Sequence, residues 1–297
     1  MDMNKLSVSI LGLAAALGGC DDGGPTGQGR VRILLSAEDS ITEGLRQGPE
    51  VEDTRDYAVR FTKYLVAVGR VTMGRSRDKR TAQLDQVFVV DATQIGSDGI
   101  ELGVIDDLRA GEWDKFGFET PRAGDDAQRM DGVSEQDFAE MVREGYTYWI
   151  EGQVERSAAQ GGPVEFTIKT GVPTHYSDCE HDGEPGVSVV ADGSETATLT
   201  LHGDHMFFNA FVTGSEANIE RLAGYLVEAD ADGDGHVDER ELLALDATRA
   251  FTRARGYSLD GAPILVDNGF DFVRAQLATQ GHYQGEGECI FTLSEEE

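Results

Sequence analysis

The 297-residue sequence predicts a mainly β, sandwich-like protein with an α-helical segment in its C-terminal third. Three observations carry that expectation. Short runs rich in Val, Ile, Phe, Tyr and Thr, separated by turn residues, follow one another from Arg30 to about Phe211. Almost no helical period interrupts them, which argues for packed sheets rather than βαβ units. From Ser215 the period changes to that of an amphipathic helix, and an acidic loop, DADGDGHVDERE, divides two helical stretches.

The chain opens on MDMNKLSVSILGLAAALGGC, where Lys5 precedes an apolar stretch, Leu6 to Leu17, too short to span a bilayer. Leu17-Gly18-Gly19-Cys20 resembles the bacterial lipobox, in which a signal peptide is cleaved before a diacylated cysteine. The resemblance implies a signal peptide over 1–19, lipidation of Cys20, a membrane anchor, and a place in the bacterial cell envelope. It leaves inner and outer membrane open. Residues 20–29 then read as a Gly-rich, flexible spacer.

Residues 30–213 form the β-rich domain. Its strand runs are RVRILL, YAVRFTKYLVAVGRVTM, QVFVVDA, KFGFET, TYWIEGQVER, VEFTIKT, VSVVADG and TATLTLHG. In the second run, alternation puts Val59, Phe61 and Lys63 on one face and Arg60, Thr62 and Tyr64 on the other. One helix interrupts the domain: Ser134 is its N-cap, Phe138, Met141 and Val142 share a face, and it is expected to cover one end of the sandwich.

Residues 214–281 read as a helical segment. A first helix capped by Ser215 presents Ile219, Leu222, Ala223 and Leu226; DERELLALDA is a second, with Leu242, Leu243 and Leu245; NGFDFVRAQLATQ is a third. Residues 282–297 contain GECIFTL, a strand expected to rejoin the β domain. With Cys20 lipidated, Cys179 and Cys289 remain, and an exported compartment favours their pairing.

Charge narrows the partners. Asp and Glu number 55 against 25 Lys and Arg, a net charge of −30. Such a surface repels nucleic acid and attracts cations, so no nucleic-acid partner is expected.

The loop from Asp230 to Glu241 carries the strongest motif. Asp230, Asp232, Asp234, Asp238 and Glu241 stand at positions 1, 3, 5, 9 and 12, with Gly235 at 6 and His236 at 7. This resembles an EF-hand, over the loop and its flanking helices, about thirty residues. The cofactor implied is Ca²⁺. Alternating aspartates turn inward together, Gly235 permits the positive φ that wraps the chain, and His236 offers its backbone carbonyl. Asp238 acts directly or through water, Glu241 with both oxygens. Val237 points into the core, where an EF-hand normally pairs with a second loop. No second loop with this spacing exists in the sequence, which argues for a structural ion rather than a switch. Outside the cytoplasm, sites as weak as about 10⁻⁴–10⁻³ M are still filled.

Histidines supply the second candidate. His202 and His205, in LHGDH, could converge across a Gly-Asp bend on a transition metal, copper or zinc, completed by His175, His181 or His282. A Cys179–Cys289 bridge would gather HYSDCEH and GHYQGEGEC into one neighbourhood. The competing reading leaves these histidines hydrogen-bonded at strand ends or exposed. Part of LHGDH is similar to the metallo-β-lactamase signature, but Thr200 stands where its first histidine belongs and the α/β alternation of that fold is missing. The strand run YTYWIEGQVE and the late histidine pair resemble uncharacterised sandwich-type lipoproteins and periplasmic, copper-associated MbnP-like proteins; no residue is carried across. The sequence has no nucleophile elbow, P-loop, H-E-x-x-H or dinucleotide glycine pattern, so a non-catalytic role is expected.

Overall fold

One 17-residue strand, Val59–Arg75, organises the architecture. The computed structural model describes residues 26–211 and 219–294, and the fold is mainly β, as the sequence predicts. In chain order the strands are β1 (Gln28–Ala37), β2 (Val59–Arg75), β3 (Arg80–Asp91), β4 (Ile100–Arg109), β5 (Gly111–Trp113), β6 (Lys115–Thr120), β7 (Ala127–Arg129) and β8 (Tyr148–Val154). They continue with β9 (Val164–Thr170), β10 (Thr174–His181), β11 (Glu184–Pro185), β12 (Val187–Val189), β13 (Ser194–Leu201), β14 (His236–Val237), β15 (Gly281–Tyr283) and β16 (Glu288–Leu293). The helices are α1 (Asp39–Thr42), α2 (Glu135–Glu144), α3 (Gly224–Ala229), α4 (Glu239–Ala244), α5 (Ala247–Ala250) and α6 (Gly269–Leu277).

Two main sheets result. A four-stranded sheet has the order β15-β13-β1-β4; a ten-stranded sheet follows β11-β10-β6-β2-β8-β9-β14, with β16 on β10, β3 on β2 and β7 on β3. Val31, Ile33 and Leu35 of β1 are buried in one core with Tyr64, Val66 and Val68 of β2, Phe118 of β6 and Ile168 of β9. That core continues into the helical segment through Tyr225, Leu226, Leu242 and Phe272, so both segments share one interior.

The run Tyr64 to Val68 is buried at every position, so both faces of β2 need cover. Tyr64, Val66 and Val68 face the sandwich interior, while Leu65 and Ala67 join Trp149 beneath α2 through Phe138, Met141 and Val142. The helix therefore lies on the outer face of the large sheet instead of capping an end. Its predicted cap holds: the Ser134 hydroxyl accepts the Asp137 N–H at 3.0 Å. Strict alternation along β2 fails at two places, one between Val68 and Val71, where the register shifts at Gly69, and one near its start. The β2–β8 register shifts between Phe61 and Lys63, and this bulge turns Tyr64 inward beside Phe61, their ring centroids 5.1 Å apart.

The helical segment differs from the expectation at its start. Ser215 lies outside the described residues, and helix begins only at Gly224. Arg221 is bridged to Thr54 and Phe208, so tertiary pairing overrides the helical period of Ile219 and Leu222. The carboxylate of Asp56, from a distant loop, caps α3 by accepting from Ala223 N at 2.9 Å and Gly224 N at 2.7 Å. The other two expected helices correspond to α4 and α6, the latter capped by Asn268.

The chain returns by two strands, β15 to the small sheet and β16 to the large one. Cys179 and Cys289 are disulfide-bonded across 110 residues and tie β16 to β10. Replacing both by alanine removes a constraint on a long unfolded loop and lowers stability by about 2–4 kcal/mol. Denaturant titration of oxidised protein and variant checks this; coincident midpoints would refute it.

Candidate metal centre

Strands β1 and β13 run parallel and end side by side, Ala37 opposite Leu201. The residues that follow, Glu38 and His202, therefore meet at one end of the pair. Glu38 N donates to Leu201 O at 3.1 Å, and His202 Nδ1 lies 3.2 Å from Glu38 Oε2. The chain then makes a tight 3-10 turn, Gly203–Phe207, which buries Asp204 and His205. On the other side of β13, β15 pairs antiparallel with Thr200 opposite His282.

Three imidazoles converge as a result. His202, His205 and His282 are 2%, 5% and 5% exposed. One ring nitrogen of each lies within 4.8 Å of the others. The His202 and His282 rings stack with centroids 3.9 Å apart, and His205 stands edge-on to both, at 5.6 Å and 5.0 Å. Burial lowers the pKa of His202, and His205 beside it adds to the effect. Burial also pushes His282 well below the ordinary imidazole range, with His202 and His205 contributing. These two rings are therefore neutral at pH 7, the state a metal ligand requires.

Neighbours orient the rings. Thr279 Oγ1 donates to Gln276 O at 2.8 Å, so it accepts from His205 Nδ1 at 2.7 Å and leaves the imidazole lone pair on Nε2. His282 Nδ1 is buried without a hydrogen-bond partner, as an unmet ligand nitrogen would be. The turn carrying His205 is anchored by Asp204, whose Oδ2 accepts Arg221 Nε at 2.6 Å, while Arg221 Nη1 donates to Val51 O at 2.6 Å.

The other candidate histidines lie elsewhere. His175, on β10, has Nδ1 3.6 Å from Glu119 and stands outside the group. His181 is paired opposite Glu184 at the β10–β11 turn. The expectation that the disulfide gathers the histidines is thus corrected. It joins β10 to β16, whereas His282 is brought in by the pairing of β15 with β13.

A cleft of about 800 Å³ opens on His202 and is lined also by Glu38, Asp204, Arg221 and Glu286. Burial, with Asp204 and Glu286 close by, pushes the Glu38 carboxyl up to about 9. Glu38, Glu286, Asp204 and Thr279 have no motif to announce them. Only Glu286 and Asp204 lie in stretches quoted for their histidines.

The acidic loop is a separate place. Carboxylate oxygens of Asp230, Asp232 and Asp234 lie within 4.8 Å of one another. Gly235 has φ 83° and its N–H donates to Asp230 Oδ1 at 3.2 Å. Asp238 stands outside this group: it caps α4 and accepts from Arg240 N at 2.8 Å and Arg240 Nη2 at 2.7 Å. Glu241 Oε2 accepts from Asp238 N–H at 3.2 Å, while its Oε1 is shielded and unpartnered. The imidazole of His236 turns away, 3.1 Å from Thr167 Oγ1. Val237 is fully buried, and β14 pairs parallel with Glu165–Phe166 of β9.

Fold and clusters together define a β-sandwich-like protein with candidate metal-binding groups among its described residues. No protein-family model matches the chain, and no curated protein matches it in sequence. Among solved structures it is similar to MbnP from Methylosinus trichosporium, at 12% identity and a TM-score of 0.32, over 62% of this chain and 78% of that one. At that overlap nothing is carried from one protein to the other.

The buried groups give the metal-free protein a defined pH dependence. Between the ordinary value of 4.5 and about 9, folded Glu38 holds a proton that the unfolded chain has released, so stability falls as pH rises through this window. The histidines act oppositely: below their ordinary value of 6.5 the unfolded chain takes up protons that the buried rings refuse, so stability falls with falling pH. Glu38→Gln should flatten the alkaline slope and raise stability at about pH 8 by about 1–2 kcal/mol. Urea titrations at several pH values check this, and an unchanged slope would contradict it.

Proposed function

We propose that the protein is a non-catalytic metal-binding lipoprotein of the bacterial cell envelope, holding one copper or zinc ion through His202, His205 and His282. The observation that carries this reading is the convergence of three buried imidazoles, two of them held neutral by burial. Imidazole sets of this kind suit zinc and copper, and a three-histidine set leaves a coordination position for water or another ligand. Sequence alone ranks calcium first; the geometry supports the histidines more strongly. Envelope location and anchoring rest on the lipobox resemblance at Cys20, outside the described residues.

A second reading concerns the loop: it holds a structural Ca²⁺. The specific observation in its favour is Glu241 Oε1, shielded and unpartnered at the position that would face the ion. Burial, reinforced by Asp232, Asp234 and Asp238, raises the Glu241 pKa, a strain that a cation relieves.

Protein purified without chelators should contain copper or zinc stoichiometrically, and His282→Ala should weaken its binding by about 100-fold or more. Elemental analysis and competition titration read this; a metal-free chain that takes up neither ion would sink the reading. Calorimetric titration with Ca²⁺ should show one site, lost in Glu241→Gln. Absence of both heat and thermal shift in the wild-type chain would dispose of the calcium reading.

A further inference from the structure

The floor of the cleft holds a second set of donors. Glu38, His202 and Glu286 each offer a ligand atom within 4.8 Å of the other two, and His202 belongs to this group and to the three-histidine group alike. The three residues come from different elements: the end of β1, the end of β13, and the turn between β15 and β16. That turn is tight, with Tyr283 and Gly287 exchanging backbone hydrogen bonds at 2.9 and 2.8 Å. Its Gly285 carbonyl lies 3.2 Å from His202 Nε2, which fastens the Glu286 turn to the shared histidine.

Two further observations point to a cation here. Asp204 lines the same cleft, is 4% exposed, and its Oδ1 is buried with no hydrogen-bond partner. Besides Glu38, the lining has six carboxylates (Asp39, Glu43, Glu52, Asp53, Asp204 and Glu286) against three guanidiniums, so the cleft favours entry of positive charge. His202 lines this cleft, whereas His205 and His282 do not. An ion arriving from the cleft therefore meets His202 and the two glutamates before the other histidines.

We propose that Glu38, Glu286 and His202 form a capture position for a hydrated divalent cation, which passes inward to His202, His205 and His282 with His202 kept as the common ligand. Oxygen donors with one imidazole accept an ion that retains several waters; three imidazoles then hold it more selectively once those waters are shed. His202 stays bound throughout, so the ion is never fully released between positions. Glu38 gives up its proton to water in the cleft as the ion binds, and displaced water leaves the same way. This proposal rests on the three-histidine reading.

The test uses Co²⁺ as the probe, added to the full chain after chelator treatment and in excess Ca²⁺, with visible absorption followed by stopped flow. Glu38→Gln/Glu286→Gln should slow both uptake and release by about tenfold while leaving the equilibrium constant within about threefold. Glu43→Gln/Glu52→Gln, which removes two carboxylates that only steer the ion, should slow uptake by no more than about threefold and leave release unchanged. His205→Ala/His282→Ala should still take up Co²⁺, weakly, with the faint absorption of an oxygen-rich six-coordinate ion in place of the intense bands of a nitrogen-rich four-coordinate one. Uptake at the wild-type rate in the Glu38/Glu286 variant overturns the proposal. Equal slowing by the Glu43/Glu52 variant also overturns it, because general steering then suffices. A wild-type chain that takes up no Co²⁺ overturns the three-histidine reading, and this proposal with it.

Discussion

The parallel pairing of β1 with β13 is the constraint on which the candidate centre depends. Eight consecutive residue pairs, from Arg30 opposite Ser194 to Ala37 opposite Leu201, bring two distant stretches of chain to a common end. A slip of one residue would exchange the faces of β13 and withdraw Ala197, Leu199 and Leu201 from the core. Register is therefore held by burial, and burial fixes where His202 leaves the sheet. Glu38, Asp204 and His205 inherit their places from that exit. The third histidine follows the same rule from the other side, because β15 takes its register from β13.

Placing three imidazoles and two carboxyl groups at a sheet end works against stability. Burial without a partner is costly for an imidazole such as His282, and burial beside Asp204 and Glu286 is costly for a carboxyl such as Glu38. The surrounding structure offsets this with an apolar interior that runs from both sheets into the helical segment. Phe251 and Phe272 stack at 3.9 Å, and Tyr225 and Tyr257 meet Phe272 edge-on at 5.4 and 5.7 Å. The segment that bears the acidic loop thus also buttresses the turn carrying His205, which Thr279 meets from the end of α6. An arrangement that keeps costly groups together inside so much well-packed structure is the usual signature of a functional site.

Much of this was legible in the residues. All eight strand runs named from composition are strands, and the caps at Ser134 and the short helix after Asp238 follow directly from local chemistry. The two longest strands that composition does not announce, β4 and β10, are diluted by Gly and Asp in IELGVIDDLR and by polar residues in THYSDCEH. Helical period misled at Ile219 and Leu222 because a buried Arg221 decides that stretch. At the centre, His202 and His205 are visible as a local pair and His282 only as a candidate third. Its assignment needs the pairing of Thr200 with His282, which is a long-range fact. Glu38 was beyond reach for the same reason: nothing near it in the chain hints at a histidine 164 residues away, the separation of Glu38 from His202.

One feature of the acidic loop bears on how separate molecules behave toward one another. An outermost strand presents unpaired backbone groups that invite the strands of a neighbouring molecule. On β9 the stretch at Glu165 and Phe166 is covered by His236 and Val237, and Gly235 O takes the Glu165 N–H at 2.9 Å. The segment that folds around the carboxylates thus also covers part of the β9 edge. Its shape contributes to solubility, because while it stays folded that stretch of backbone is closed to strands of other copies.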